Sequence, residues 1–277
     1  MTPMLGVAAI QYCARDDARA TLDHITPLIA QAAETARLVS LPEAATYLAA
    51  SRTQLAERAE WEDDSFSHRR LADMAREFGI WLHAGSLMLR RRDTGRLVNR
   101  TLLLGPDGGL VATYDKIHMF DADVGDGQTY RESQSFSAGA APVTVSIEGL
   151  CAGLSICYDL RFPHLYRQLA RDGAKLLLVP AAFTATSGRA HWHVLLRARA
   201  IETGCFVVAA AQCGTHADGR QTYGHSLIIS PWGEVIADAG TGDAVISAAL
   251  DPALVETARR SIPSLGTNPA IGRTRRV

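Results

Sequence analysis

Hydrophobic and polar positions change period repeatedly along this chain, so strands and helices are predicted in alternation over most of its length. Met4 to Ile10 reads as a first strand, and Asp16 to Arg37, rich in Ala and Leu, as the helix after it. Leu38 to Leu41 is a short strand stopped by Pro42. The segment Ser65 to Phe78 carries helix signals at both ends. Asp64 or Ser65 can cap its free N–H groups, Leu71, Met74, Ala75 and Phe78 recur at helical spacing, and Gly79 suits a left-handed terminus. Ile80 to Leu89 then resumes as a strand.

Further on, Thr101 to Leu104 and Leu110 to Tyr114 flank a Gly-Pro-Asp-Gly-Gly turn and predict a hairpin. Val143 to Ile147 and Cys151 to Ile156 predict another around Gly149. A short helix near His164 to Arg171, a strand at Leu176 to Val179 and a helix at about Ala190 to Thr203 come next. Cys205 to Ala211 is too apolar to face water on either side. Ser226 to Ile229 and Val245 to Leu250 are read as strands bracketing the Ser230-Pro231-Trp232-Gly233 turn. Hairpins mixed with βα units imply an α/β fold with mixed sheets, and two such sheets packed face to face between helix layers would bury all these strands. No repeat or linker interrupts residues 1–260, which are expected to form one domain; residues 261–277, with Arg273, Arg275 and Arg276, read as a tail or a dimer arm.

Composition narrows the function classes. The 277 residues are 47% hydrophobic, enough for a packed core, and 28 cationic residues nearly cancel 29 acidic ones. No broad basic field is available for nucleic acid, no apolar run is long enough for a membrane span, and no secretory signal is visible. The five cysteines are odd in number and lack a CxxC pair, so reduced thiols in a cytoplasmic enzyme are expected. Only Lys116 and Lys175 among the 28 cationic residues are lysine, which draws attention to what surrounds each.

Three segments place reactive side chains at strand ends: Leu41-Pro42-Glu43, Tyr114-Asp115-Lys116-Ile117-His118, and Ser155-Ile156-Cys157-Tyr158-Asp159-Leu160-Arg161-Phe162-Pro163. Together they offer a thiol, a carboxylate and an ammonium, the set needed to hydrolyse an amide through a thioester. A thiol at its ordinary pKa is mostly protonated and needs a base and a cationic neighbour. A carboxylate shielded from water can have its pKa raised enough to take and return that proton. An ammonium beside the developing oxyanion stabilises the tetrahedral intermediate, and the N–H after the nucleophile can share the task.

In order and separation the three segments resemble the signatures of the nitrilase superfamily of carbon–nitrogen hydrolases, and the resemblance covers nearly the whole chain. It implies a four-layer α-β-β-α sandwich and a Glu-Lys-Cys triad in which Glu43 is the general base, Lys116 the oxyanion stabiliser and Cys157 the nucleophile. It also implies that Glu132, in Tyr130-Arg131-Glu132-Ser133, steadies the lysine, that the Tyr158 N–H assists the oxyanion, and that the protein is a homodimer. The Ala190 to Thr203 stretch is similar to the branch containing deaminated glutathione amidase and ω-amidase, and Val207 to Gly214 with Tyr223-Gly224-His225-Ser226 lies closer to the former. His193 departs from that branch, where Glu is usual.

The expected activity is therefore hydrolysis of a small carboxylate-bearing amide with release of ammonia and no metal or organic cofactor. Alternatives are ω-amidase action on 2-oxoglutaramate, N-carbamoyl amino acid hydrolysis, or a catalytically silent interaction protein. His191-x-His193 and Cys213-x2-His216 superficially suggest zinc, but side chains at i and i+2 of a helix point apart. Asp121-Ala122-Asp123 reads as a solvated loop by the active site, not a calcium loop, and Arg161 is expected to pair with a nearby acid. No Gly-x-Ser-x-Gly elbow or phosphate-cradling glycine motif appears.

Overall fold

The apolar runs become the inner strands of two stacked mixed sheets. The computed structural model describes residues 4–267 and Thr274. The first sheet runs in the order Ala244–Leu250, Leu5–Gln11, Leu38–Ser40, Trp81–Arg90, Leu97–Leu104, Leu110–Asp115, with Glu60–Trp61 pairing beside Trp81–Arg90. The second runs Val235–Asp238, Leu227–Ile229, Phe206–Ala209, Leu176–Leu178, Leu150–Leu154, Thr144–Ile147. Leu5–Gln11 shows why its sequence reads as continuously apolar. Val7 and Ala9 pack with the second sheet, while Ala8 and Ile10 pack with the helices Ala18–Ala33 and Phe66–Phe78. The helices Pro163–Arg171 and Ala185–Thr203 cover the second sheet through Leu165, Leu169, Trp192 and Leu196. The arrangement is the four-layer α-β-β-α sandwich that the resemblance implies. Among the described residues, no helix is long and apolar enough to cross a membrane.

Local signals held where they were strongest. The Phe66–Phe78 helix is capped by Ser65, whose side chain accepts from the His68 N–H, and ends at Gly79 with φ +62°. The first helix stops at Ala33, short of Arg37, because the chain must turn there. The Arg37 N–H then donates to the Gly6 carbonyl and aligns Leu38–Ser40 beside the first strand. The helix read from Ala190 begins at Ala185, behind a Thr184 cap. One pairing is corrected: the Pro231-Trp232 turn joins Leu227–Ile229 to Val235–Asp238, whereas Ala244–Leu250 crosses to the first sheet and pairs antiparallel with Leu5–Gln11. Near the C-terminus, a helix at Ala253–Ser261 leads to a short turn of helix at Pro263–Leu265, whose carbonyls accept from the Arg167 guanidinium. Arg273, Arg275 and Arg276 lie outside the described residues.

Gly85, on Trp81–Arg90, lies tight against the segments that follow Leu38–Ser40 and Leu176–Leu178. A Cβ there would sit 2.0 Å from the Leu41 carbonyl oxygen and 2.6 Å from both the Pro42 oxygen and the Pro180 Cβ. Two of these contacts are backbone, which cannot rotate away. Gly85→Ala is expected to destabilise by about 3 kcal/mol through overpacking. The melting temperature should then fall by roughly 6–12 °C. An unchanged melting temperature would show that the loops recede freely.

Candidate active site

Strand direction brings the reactive groups together. Leu38–Ser40 runs parallel to its neighbours Leu5–Gln11 and Trp81–Arg90, and two antiparallel steps make Leu110–Asp115 parallel to them as well. Glu43 and Lys116, each following its strand, therefore emerge at the same end of the first sheet. In the second sheet Leu150–Leu154, Leu176–Leu178 and Phe206–Ala209 are mutually parallel, so Cys157 and Ala182 leave it at one end too. The two ends meet, as expected for a site at the carboxyl ends of parallel strands.

All three side chains are nearly withdrawn from water, with exposures of 5% for Glu43, 2% for Lys116 and 8% for Cys157. Lys116 Nζ lies 3.0 Å from Glu43 Oε1 and 2.9 Å from Glu132 Oε2. The second Glu43 oxygen accepts from the Ala182 N–H at 2.9 Å, and Glu132 accepts from the Phe120 N–H at 2.7 Å. Asn99 donates to both carboxylates, at 2.9 Å to Glu43 and 3.2 Å to Glu132. Cys157 borders the same cavity as Glu43, Lys116 and Glu132.

The charges follow from these contacts. Burial and the facing Glu43 carboxylate push the Cys157 thiol well above its ordinary 9.0, with Lys116 opposing them only in part. Burial, the largest single influence, would raise Glu43, but the Lys116 charge and the hydrogen bonds from Lys116 and the Ala182 N–H together outweigh it and hold the carboxyl below its ordinary 4.5. Lys116 remains well above 10.5 because the Glu132 and Glu43 charges exceed its loss of hydration. The resting site thus holds a neutral thiol, a carboxylate and an ammonium. This corrects the expectation of a raised carboxylate pKa: an ammonium and hydrogen-bond donors acting together reverse the effect of shielding from water.

The elbow that carries Cys157 is strained. Its φ is +48°, a left-handed conformation unusual for a residue with a Cβ, at the start of a tight turn spanning Cys157–Arg161. Asp159, fully buried, holds that turn by accepting from the Ile156 N–H, the Tyr114 hydroxyl and the His118 N–H. Arg199 supports it from the helix side by donating twice to the Leu160 carbonyl. Arg161 does not do this work. Among the described residues no carboxylate lies within ion-pair range of it, and its guanidinium sits 5.1 Å over the Phe183 ring, 3.3 Å from His191 Nδ1. The acid that secures the elbow is its own neighbour in sequence, Asp159.

Glu43, Lys116, Cys157 and Glu132 open onto a cavity of about 450 Å³, within the range of small-molecule sites. Its walls include Tyr158, Phe120, Tyr130 and Phe183, with the cations Arg52, Arg131, Arg161 and Arg220. The hairpin Asp121–Asp123 and Thr129–Arg131 forms part of the rim.

The family model for carbon-nitrogen hydrolases matches residues 6–260. This chain belongs to the carbon-nitrogen hydrolase family. A protein named deaminated glutathione amidase from a Synechocystis species is 42% identical over 96% of this chain and 98% of its own. The crystal structure of the C. elegans NitFhit protein superposes with a TM-score of 0.90 at 34% identity, over 96% of this chain and 65% of that longer one. An amidase variant from Nesterenkonia sp. AN1, carrying the acetamide moiety of fluoroacetamide on its active site cysteine, superposes at 0.79 with 27% identity, covering 94% of this chain and 95% of that one.

In this carbon-nitrogen hydrolase the structure brings Glu43, Lys116, Glu132 and Cys157 onto one cavity, and the groups that orient them have little or no signal in the sequence. Asn99 gave no signal, since a single Asn within an apolar strand reads as a tolerated polar residue. Its Oδ1 is buried without a partner among the described residues, in the wall of the cavity. The Ala182 N–H is a backbone group with no sequence signature. Asp159 lies within the Cys157–Arg161 turn, and local pattern predicts no role for it. His193 does not line the cavity, and Lys175 pairs with Glu256 at the surface, 2.8 Å away.

Proposed function

We propose that this carbon-nitrogen hydrolase cleaves the amide of a small carboxylate-bearing substrate through a Cys157 thioester and releases ammonia. The observation that carries the reading is the convergence of a neutral thiol, a carboxylate and an ammonium on one cavity. Glu43 takes the thiol proton as Cys157 Sγ attacks the carbonyl carbon, so a reactive thiolate forms only when its target is in place. Lys116 and the Tyr158 N–H hold the oxyanion; that N–H lies in the first turn of a short helix, where donors lack intrahelical partners. Glu43 then passes the proton to the departing nitrogen, and water activated by Glu43 hydrolyses the acyl thioester. Glu132 keeps Lys116 aligned and charged. No step requires a metal or an organic cofactor. The adduct at the active site cysteine of the Nesterenkonia amidase supports a nucleophilic cysteine in this family.

For the substrate, we propose deaminated glutathione, on the likeness to the Synechocystis relative and on the arginines at the cavity wall. Arg220 is matched by Asp218 at 2.6 Å, whereas Arg161 is left without a carboxylate among the described residues and suits one brought by a substrate. The test is ammonia release from deaminated glutathione, 2-oxoglutaramate, an N-carbamoyl amino acid and a nitrile. The first is expected to show the highest kcat/KM. A wide preference for the carbamoyl compound would overturn the substrate assignment while leaving the thioester route standing. The cytoplasmic setting is retained in this proposal, since a reducing compartment suits five unpaired cysteines.

A further inference from the structure

We propose that His193, His225 and Asp238 form a binding site for a divalent transition metal of the zinc class, apart from the hydrolytic cavity. The three residues come from separate elements: the helix Ala185–Thr203, the loop after Gln221–Tyr223, and the end of the edge strand Val235–Asp238. One oxygen of Asp238 lies 2.9 Å from His225 Nδ1, and the other lies 3.1 Å from His193 Nε2. The ligand atoms of all three lie within 4.8 Å of one another. Zinc bonds nitrogen and oxygen at about 2.0–2.2 Å, so ligands sharing one ion stand roughly 3.0–3.5 Å apart. Both carboxylate–imidazole spacings already suit that, and only the two imidazoles need to draw together.

Two histidines donating to one aspartate could be no more than a surface network, so what holds the rings in place matters. His225 has φ +52°, a conformation that favours glycine, and its carbonyl is fixed by the Trp192 indole N–H at 2.7 Å. The Tyr223 ring stacks on the His225 ring at 4.5 Å, and His193 meets His225 edge-on at 5.1 Å. The Gly240 N–H donates to Asp238 Oδ1 at 2.8 Å, the kind of outer contact that orients a ligating carboxylate. Two imidazoles with one carboxylate select zinc, cobalt, nickel or copper over calcium or magnesium. Asp238 is exposed, so water can complete the coordination. The ion would tie the edge of the second sheet to the helix whose first turn, at Ser187, borders the cavity. His191 is not part of this group; the partners of His193 come from the loop after Gln221–Tyr223 and from the strand Val235–Asp238.

The experiment is calorimetric titration of zinc sulfate into the full-length Cys157→Ala chain, which removes the catalytic thiol as a competing ligand. One equivalent of zinc is expected to bind, and His193→Gln and Asp238→Asn, each made in that background, should weaken binding at least about tenfold. Both substitutions sit at the surface, and melting without metal checks that each variant is folded. Cobalt(II) in the same protein should give d–d absorption without a thiolate-to-cobalt charge-transfer band. No zinc uptake, uptake unchanged in both variants, or a thiolate band pointing to Cys13 or Cys213 would overturn the proposal.

Discussion

Replacing Cys157 with alanine is expected to abolish amide hydrolysis, a loss of about 10⁵-fold or more in kcat/KM, while the fold survives. The size follows from the role proposed for it: without a sulfur no acyl-enzyme would form, and neither Glu43 nor Lys116 would have an attacking group to serve. The fold survives because the backbone strain at φ +48° is held by Asp159 and by the Cys157 N–H donating to the Pro180 carbonyl, and alanine keeps both. The measurement is ammonia release, with a melting curve as control. A folded variant that retained wild-type turnover would remove the cysteine from the mechanism, whereas no turnover in the unmodified protein would favour a silent, interaction-only role.

Lys116→Met should have two separable consequences. Loss of the ammonium beside the oxyanion is expected to lower kcat by about 10³-fold. Removing it also leaves Glu43 and Glu132 facing each other with no cation between them, which should destabilise the protein by about 3–5 kcal/mol at neutral pH. The pH dependence gives the sharper signature. In the native protein the folded pKa of Glu43 lies below its unfolded value. The stability it contributes is fully present above pH 4.5 and is lost as pH falls through the folded value. In the variant the buried Glu43 faces the Glu132 carboxylate with no cation between them, so the folded pKa of Glu43 rises above its unfolded one, and stability should instead fall as pH climbs above 4.5. Denaturant unfolding at a series of pH values reads the slope directly. The same slope in both proteins would mean that Lys116 does not set the charge of Glu43.

How far the site could be read beforehand depends on how each part is encoded. Glu43, Lys116 and Cys157 stand at strand ends in segments that combine reactive side chains with abrupt changes of polarity, so local pattern exposes them. Asn99 lies inside Leu97–Leu104, and its importance comes from two glutamates 56 and 33 residues away. Gly85 reads as an ordinary glycine until Leu41 and Pro180 close around it. The expected ion pair of Arg161 failed for a related reason: charge in the sequence does not say which acid will be in reach, and Asp159 was already taken up by Tyr114, His118 and Ile156.

By itself the sequence determined the alternation of strands and helices, the caps of Phe66–Phe78, the two central hairpins and the identity of the reactive side chains. These depend on periodicity and on chemistry within a few residues. The tertiary structure alone decided that Ala244–Leu250 pairs with the first strand, that Glu43 stays ionised although buried, and that His193 meets His225 and Asp238. Each of these is set by groups far apart along the chain, and their distances and mutual fields exist only once the two sheets have stacked.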